Sequence, residues 1–208
     1  MVDIPGGAQT LELMRRRRTA RAHASEAVPS DALEAMLEAV RWAPSAANRQ
    51  PWEVIVVSDR ALQGKLRAAF VDEAADHDPR YRVVTERQAD LLLAPLVLAV
   101  CGDERTKGSF VNAEEIGGDV QDELFLLTMG AAIENLLLMA TACGLTSTWI
   151  ARAARVSRVR ELLGVPSWLR IVALVALGTG PPPRTTEHMR RPIAEKVHEN
   201  CFGGVAGG

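Results

Sequence analysis

The stretch LFLLTMGAAIENLLLMATAC, residues 124 to 143, limits the folds open to this chain more than any other. It is long enough to span a bilayer, but Glu134 and Asn135 lie near its centre. A charge there costs roughly 2.5 to 3.5 kcal/mol on insertion scales. The stretch is therefore expected to be a buried helix of a soluble protein, shared between subunits. Gly130, Ala131 and Ala132 are small enough to let two such helices pack closely.

The rest of the chain alternates between helical and extended patterns. Residues 10 to 16 predict a short helix that ends in RRRR, where cations suit the negative helix terminus. Leu33, Met36, Leu37 and Val40 fall at helical spacing after Ser30, a candidate N-cap, and Pro44 ends that helix. WEVIVV (52–57) reads as a strand, and Leu62, Leu66, Ala69 and Phe70 mark the next helix. DHDPR (76–80) is a surface turn, and the helix after it leads into APLVLAVCG (94–102), a central strand. A polar, glycine-bearing loop over 102–118 precedes the long helix, which Gly144 terminates. TSTWI (146–150), a helix near 157–163 and IVALVALG (171–178) complete the compact part. Such an order suggests one layered domain over 1–208, a sheet with helices on both faces rather than a barrel. From about residue 180 a proline-rich, basic tail lies across a surface.

Length and charge exclude several classes. At 208 residues, 48% hydrophobic and with a formal net charge of -2, the chain has a full core and no global attraction to nucleic acid or anionic membrane. Three scattered cysteines give neither a disulfide framework nor a zinc site, and no metal is expected. The N-terminus has no signal-peptide pattern, so a cytoplasmic setting is expected. GTG (178–180) follows a strand, but PPP comes next and cannot open the helix that a dinucleotide fold requires. No phosphate-loop, nucleophile-elbow or zinc-protease motif occurs, and each of His23, His77, His188 and His198 suits a surface or packing role.

Two stretches remain. RRRRTAR (15–21) reads plainly as a solvated helix end, or as an anion site in which guanidiniums and the Thr19 hydroxyl supply charge-assisted bonds. APSAANRQPW (43–52) reads as a connector anchored by Trp52. Its second reading is a wall of small residues and amides, from Pro44 to Gln50, that complements a flat heterocycle with an imide-like edge.

RRTAR (17–21), APSAANRQPW (43–52), GLTSTWI (144–150) and MRRPI (189–193) occur in the order found in the FMN-dependent nitroreductase family, which this chain resembles from about residue 11 to 198. The resemblance implies an α+β protein: a three-layer α-β-α sandwich with a mixed, mostly antiparallel central sheet. It also implies an intertwined homodimer with a C-terminal extension and an FMN at each interface. Position by position, Arg17, Arg18 and Thr19 would hold the phosphate and ribityl end, and Arg21 would lie near the flavin N1/O2 side. Pro44, Ser45, Ala46 and Asn48 would come from the other subunit, with Gln50 supporting that loop. Backbone at Ile150, Ala151 and Arg152 would face the ring, and Arg190 with Arg191 would return to the phosphate. Thr19, Ala46, Arg152 and His188 depart from the usual serine, serine, glycine and lysine, and Arg87 is a further candidate for the flavin.

What the resemblance implies chemically is a hydride passed from NAD(P)H through FMN to a small organic acceptor, in alternation at one place and with no side-chain nucleophile or base. A reductase of deazaflavin-cofactor biosynthesis is a second reading. A non-catalytic protein that binds phosphate or nucleic acid is a third, against which few aromatics (4%) and a near-neutral charge count.

Overall fold

The computed structural model describes residues 6–75, 82–109, 117–180 and 190–204. The surface turn expected at 76–80, His77, His188 and residues 110–116 of the loop before the long helix lie outside the described residues. Among the described residues, ten α-helices and strands precede the tail: α1 (Gly7–Arg16), α2 (Ser30–Arg41), β1 (Trp52–Val57), α3 (Arg60–Ala75), α4 (Arg82–Asp90), β2 (Leu96–Asp103), α5 (Gly118–Ala142), β3 (Thr146–Ile150), α6 (Ser157–Leu162) and β4 (Leu169–Gly178). The strands form one sheet in the order β1-β2-β4-β3, and each of its ladders is antiparallel.

β2 shows why the sheet sits at the centre. Its apolar run leaves no polar face, so both sides need cover, and side chains alternate between them. Leu96, Leu98 and Val100 join one cluster with Met36 and Val40 of α2 and Met129, Ile133 and Leu136 of α5. Val97, Ala99 and Cys101 join a second with Leu66 and Phe70 of α3, Ala89 of α4 and Val159 of α6. β4 divides likewise, with Val175 and Leu177 in the first cluster and Leu174 and Ala176 in the second. Each fully buried leucine or valine contributes about 1.5–3 kcal/mol relative to exposure.

Polar bonds fix the helices on this frame. Asn135 Nδ2 donates to the Ala39 carbonyl at 3.1 Å, tying α5 to α2. Gln63, fully buried, donates to the carbonyls of Val57 and Ala94 at 3.1 Å each, tying α3 to the ends of β1 and β2. α5 stops at Gly144, whose φ of +74° allows Leu145 N–H to reach Ala140 O (2.8 Å) and Gly144 N–H to reach Thr141 O (3.1 Å).

Several sequence expectations change. Ser30 does not cap α2: it is the first helical residue, the cap position is Pro29, and the first-turn bond comes from Asp31, whose Oδ1 accepts from Ala32 N–H at 2.9 Å. Helices α1 and α5 and strand β4 start earlier than expected, and Pro95 stays outside β2 because it cannot donate to the ladder. α5 is long and apolar enough to cross a membrane by length and composition, but it packs across the sheet as a core helix. Of its three small residues, Ala132 is fully buried within the chain, while Gly130 and Ala131 are half-buried.

Candidate functional site

The arginine run is held by backbone. Past α1 the chain runs beside the free edge of β3, forming a parallel bridge between Thr19 and Ser147, with Ala20 N–H donating to Ser147 O at 3.0 Å. Thr148 Oγ1 donates to Ala20 O at 2.7 Å. Held so, the run presents its side chains on a surface. Arg17 Nε pairs with Glu134 Oε1 of α5 at 3.1 Å, and Thr19 and Arg21 are exposed. Arg18 Nη1 donates to the carbonyls of Arg15 and Arg17, while its Nε is buried without a partner.

The loop at Pro44–Gln50 is built on strain. Ala47, Asn48 and Gln50 have φ of 50°, 54° and 49°, a left-handed conformation that disfavours side chains other than asparagine. Bonds within the loop hold it there: Asn48 N–H to Ser45 O (3.0 Å), Gln50 N–H to Ser45 Oγ (3.1 Å), and Gln50 Nε2 to both Asn48 O and Asn48 Oδ1 (3.3 Å each). Ala46 N–H donates to Thr128 Oγ1 of α5 at 3.3 Å. The Gln50 amide is thus engaged inside the loop. Pro44 and Asn48 are exposed, and Ser45 and Ala46 half-buried.

These two stretches do not meet within one chain. The loop feeds β1 and the run flanks β3, the opposite edges of the sheet. The run meets β3 at Thr146, Ser147 and Thr148; at the far end of that strand Ile150 is buried and paired with Leu174, and Ala151 and Arg152 form an exposed turn. Arg190 and Arg191 are exposed and, among the described residues, make no hydrogen bond or ion pair with the run. Arg87 is exposed on α4, which packs with α3 on the face of the sheet opposite α5.

His23 has more than the surface or packing role assigned to it from sequence. Thr146 Oγ1 donates its proton to Gly178 O (2.9 Å) and therefore accepts from His23 Nδ1–H (2.8 Å). His23 Nε2 lies 3.4 Å from Thr148 Oγ1, and burial lowers the imidazole pKa, keeping the ring neutral. Ala24 N–H also bonds Thr179 O at 2.7 Å, so the run is tied to β3 and to the end of β4. The signal open to sequence was the alternation of Thr146 and Thr148, which sets both hydroxyls on one side of a strand. Thr128 and Glu134, each bonded to a candidate stretch, carry no such signal. Burial pushes the Cys101 thiol up to about 11, so it is not a nucleophile at neutral pH.

A cleft of about 380 Å³ opens beside Ala151, between α5, the turn after β3 and the start of β4. The sequence profile of the nitroreductase family matches residues 14–179, which includes the run, the loop and this turn. An NADH dehydrogenase of Thermus thermophilus is 34% identical over 172 residues, covering 78% of this chain and 82% of that one. A protein of Desulfovibrio desulfuricans solved in complex with FMN is 27% identical and superposes with a TM-score of 0.66, over 97% of this chain and 99% of its own. A nitroreductase of Bacteroides fragilis with bound FMN shares the fold at 24% identity and a TM-score of 0.70, over 88% of this chain and 95% of that one. The chain belongs to the nitroreductase family and is an oxidoreductase.

Proposed function

We propose that this chain is an FMN-dependent oxidoreductase that takes hydride from NAD(P)H and delivers it to a small organic acceptor, the two reactants alternating at one place on the flavin. One observation carries the reading: a run of guanidiniums and a hydroxyl, Arg17 to Thr19, lies along the strand that ends at exposed Ala151. The donor set suits a phosphate. Arg18 Nε is an orphaned buried donor, Thr19 has a free surface position, and Arg17 has one nitrogen engaged by Glu134 and the rest of its fork to offer. FMN when bound supplies two-electron carriage between reactants that never meet.

The chain's own residues bind and orient. Arg17, Arg18 and Thr19 take the phosphate and ribityl end, and Arg21 lies toward the pyrimidine edge. Backbone at Ile150, Ala151 and Arg152 orients the ring, and Arg190 with Arg191 closes on the phosphate. Pro44, Ser45, Ala46 and Asn48 serve the site of a second subunit, with Gln50 fixing their loop. Their position on the edge opposite the run supports that assignment. So does an exposed apolar surface on α1 and α5, where Leu11, Met14 and Leu127 are 48%, 50% and 70% exposed. In this reading two α-β-α sandwiches intertwine as a cytoplasmic homodimer, with the tail as the exchanged arm.

The protein purified from expression is expected to be yellow and to bleach anaerobically on addition of NADH or NADPH. Colourless protein that takes up no FMN overturns the reading, and yellow protein reduced by neither nicotinamide removes the donor. Leu127→Glu is expected to shift sedimentation toward the monomer. An unchanged dimer would place the interface elsewhere.

A further inference from the structure

The cleft beside Ala151 arises from unequal strands. β4 begins at Leu169, but β3 pairs only with Leu174 to Gly178, so the first residues of β4 have no strand on that side among the described residues. The chain leaves β3 at Ala151 and arches over the gap into α6. Leu126, Ile171 and Val172 line the apolar part of the cleft, and Arg155, Arg160 and Arg170 the cationic part, with no aspartate or glutamate among the described residues that line it.

The three arginines differ in what occupies them. Arg160 is an anchor: Nη1 donates to Leu169 O at 2.9 Å and Nη2 to Pro166 O. Arg170 reaches Glu104 and Asp122 only at 4.0 and 3.8 Å, while both carboxylates bond Lys107 more closely, at 2.6 and 2.5 Å. Its charge is therefore only partly neutralised. The Arg155 guanidinium makes no hydrogen bond or ion pair among the described residues. Ser157 adds a hydroxyl to the same wall.

We infer that this cleft is a binding site for the anionic group, a carboxylate or phosphate, of a molecule that reacts beside Ala151, with Arg155 as its specificity-determining residue. The inference rests on the proposed flavin site, because Ala151 belongs to both. Apolar walls receive the body of a small reactant, and the cationic side holds its charge. The anion has two sources: the acceptor itself, or the phosphate that distinguishes NADPH from NADH.

Arg155→Glu in the full-length holoenzyme separates them. Steady-state kcat/KM is measured for 4-nitrobenzoate against its methyl ester, and for NADPH against NADH. The variant is expected to lose about tenfold on at least one charged member, the scale of one charge-assisted hydrogen bond, while the methyl ester with NADH stays within about twofold. Loss on 4-nitrobenzoate assigns the anion to the acceptor, and loss on NADPH assigns it to the donor. No change in either charged member, or an equal fall in all four, overturns the inference. Calorimetric titration of 4-nitrobenzoate and of inorganic phosphate reads the cleft without turnover. Weaker binding of either by the variant supports the site even if the redox reading fails, and unaltered binding of both removes it even if that reading stands.

Discussion

The run Arg17–Arg21 and the loop Pro44–Gln50 are both irregular chain at an edge of the same sheet, yet they are held by opposite means. The run borrows the sheet's backbone through Ser147, Thr148 and His23, which leaves Thr19 and Arg21 facing outward. The loop folds on itself, with Gln50 and Ser45 bonding its own backbone across three left-handed residues. A segment that takes its shape from a neighbour can leave side chains, here Thr19 and Arg21, for a ligand. One that must make its own shape commits them, and what it offers outward is surface: exposed Pro44, Ala47 and Asn48.

The largest effect expected is on cofactor affinity. Arg17→Ala removes charge-assisted bonds to a phosphate and should weaken FMN roughly ten- to a hundredfold in a fluorescence-quenching titration. Arg190→Ala should follow it if the tail returns to the same group. Unaltered affinity in both variants would show that the run is only a solvated helix end.

Next in size is the seat of the run on the sheet. A Cβ at Gly178 would stand 2.9 Å from both His23 Cβ and Pro95 Cδ, so these two side chains pack against the end of β4 only because the residue is glycine. Gly178→Ala is expected to cost about 2 kcal/mol of unfolding free energy, the scale of overpacking, read by urea denaturation at fixed protein concentration. A change below about 0.5 kcal/mol, the range of an ordinary surface substitution, would mean that the run is seated loosely. The loop should respond in the opposite sense. Ala47→Gly relieves a left-handed strain of about 1 kcal/mol but adds freedom to the unfolded chain, so stability should rise by a fraction of that, whereas Ala47→Val should lower it by about 1–2 kcal/mol. If both substitutions prove neutral, the loop is not a strained self-held turn.

This contrast also decides what was legible in the sequence. β2, β4 and α5 follow from apolar runs bounded by proline and glycine, because burial on both faces leaves no other use for them. The run was legible as charge but not as a strand-like partner of β3, since no side-chain pattern encodes a lone backbone bridge. The loop's left-handed residues were not legible at Ala47 or Gln50, where glycine, the usual marker, is missing; only Asn48 hints at them. The Ser30 cap failed because a serine followed by aspartate before a helical run leaves the start ambiguous by a residue, and Asp31 took the first-turn bond.

The smallest effect concerns the run alone. Burial lowers the folded-state pKa of His23 below its ordinary value of about 6.5, so between those two values the unfolded chain binds more protons than the folded one. Stability then rises with pH across that window: the contribution is whole above about pH 6.5, is lost as pH falls toward the folded pKa, and levels off below it. His23→Gln keeps a donor for Thr146 but does not titrate. Urea midpoints at pH 7.5 and 5.5 should therefore fall further apart in the wild type than in His23→Gln, while Ala47→Gly keeps the wild-type separation. A wild-type separation in His23→Gln would mean that the acid sensitivity of the fold lies elsewhere. A reduced separation in Ala47→Gly would show that the loop and the run respond as one unit despite standing on opposite edges of the sheet.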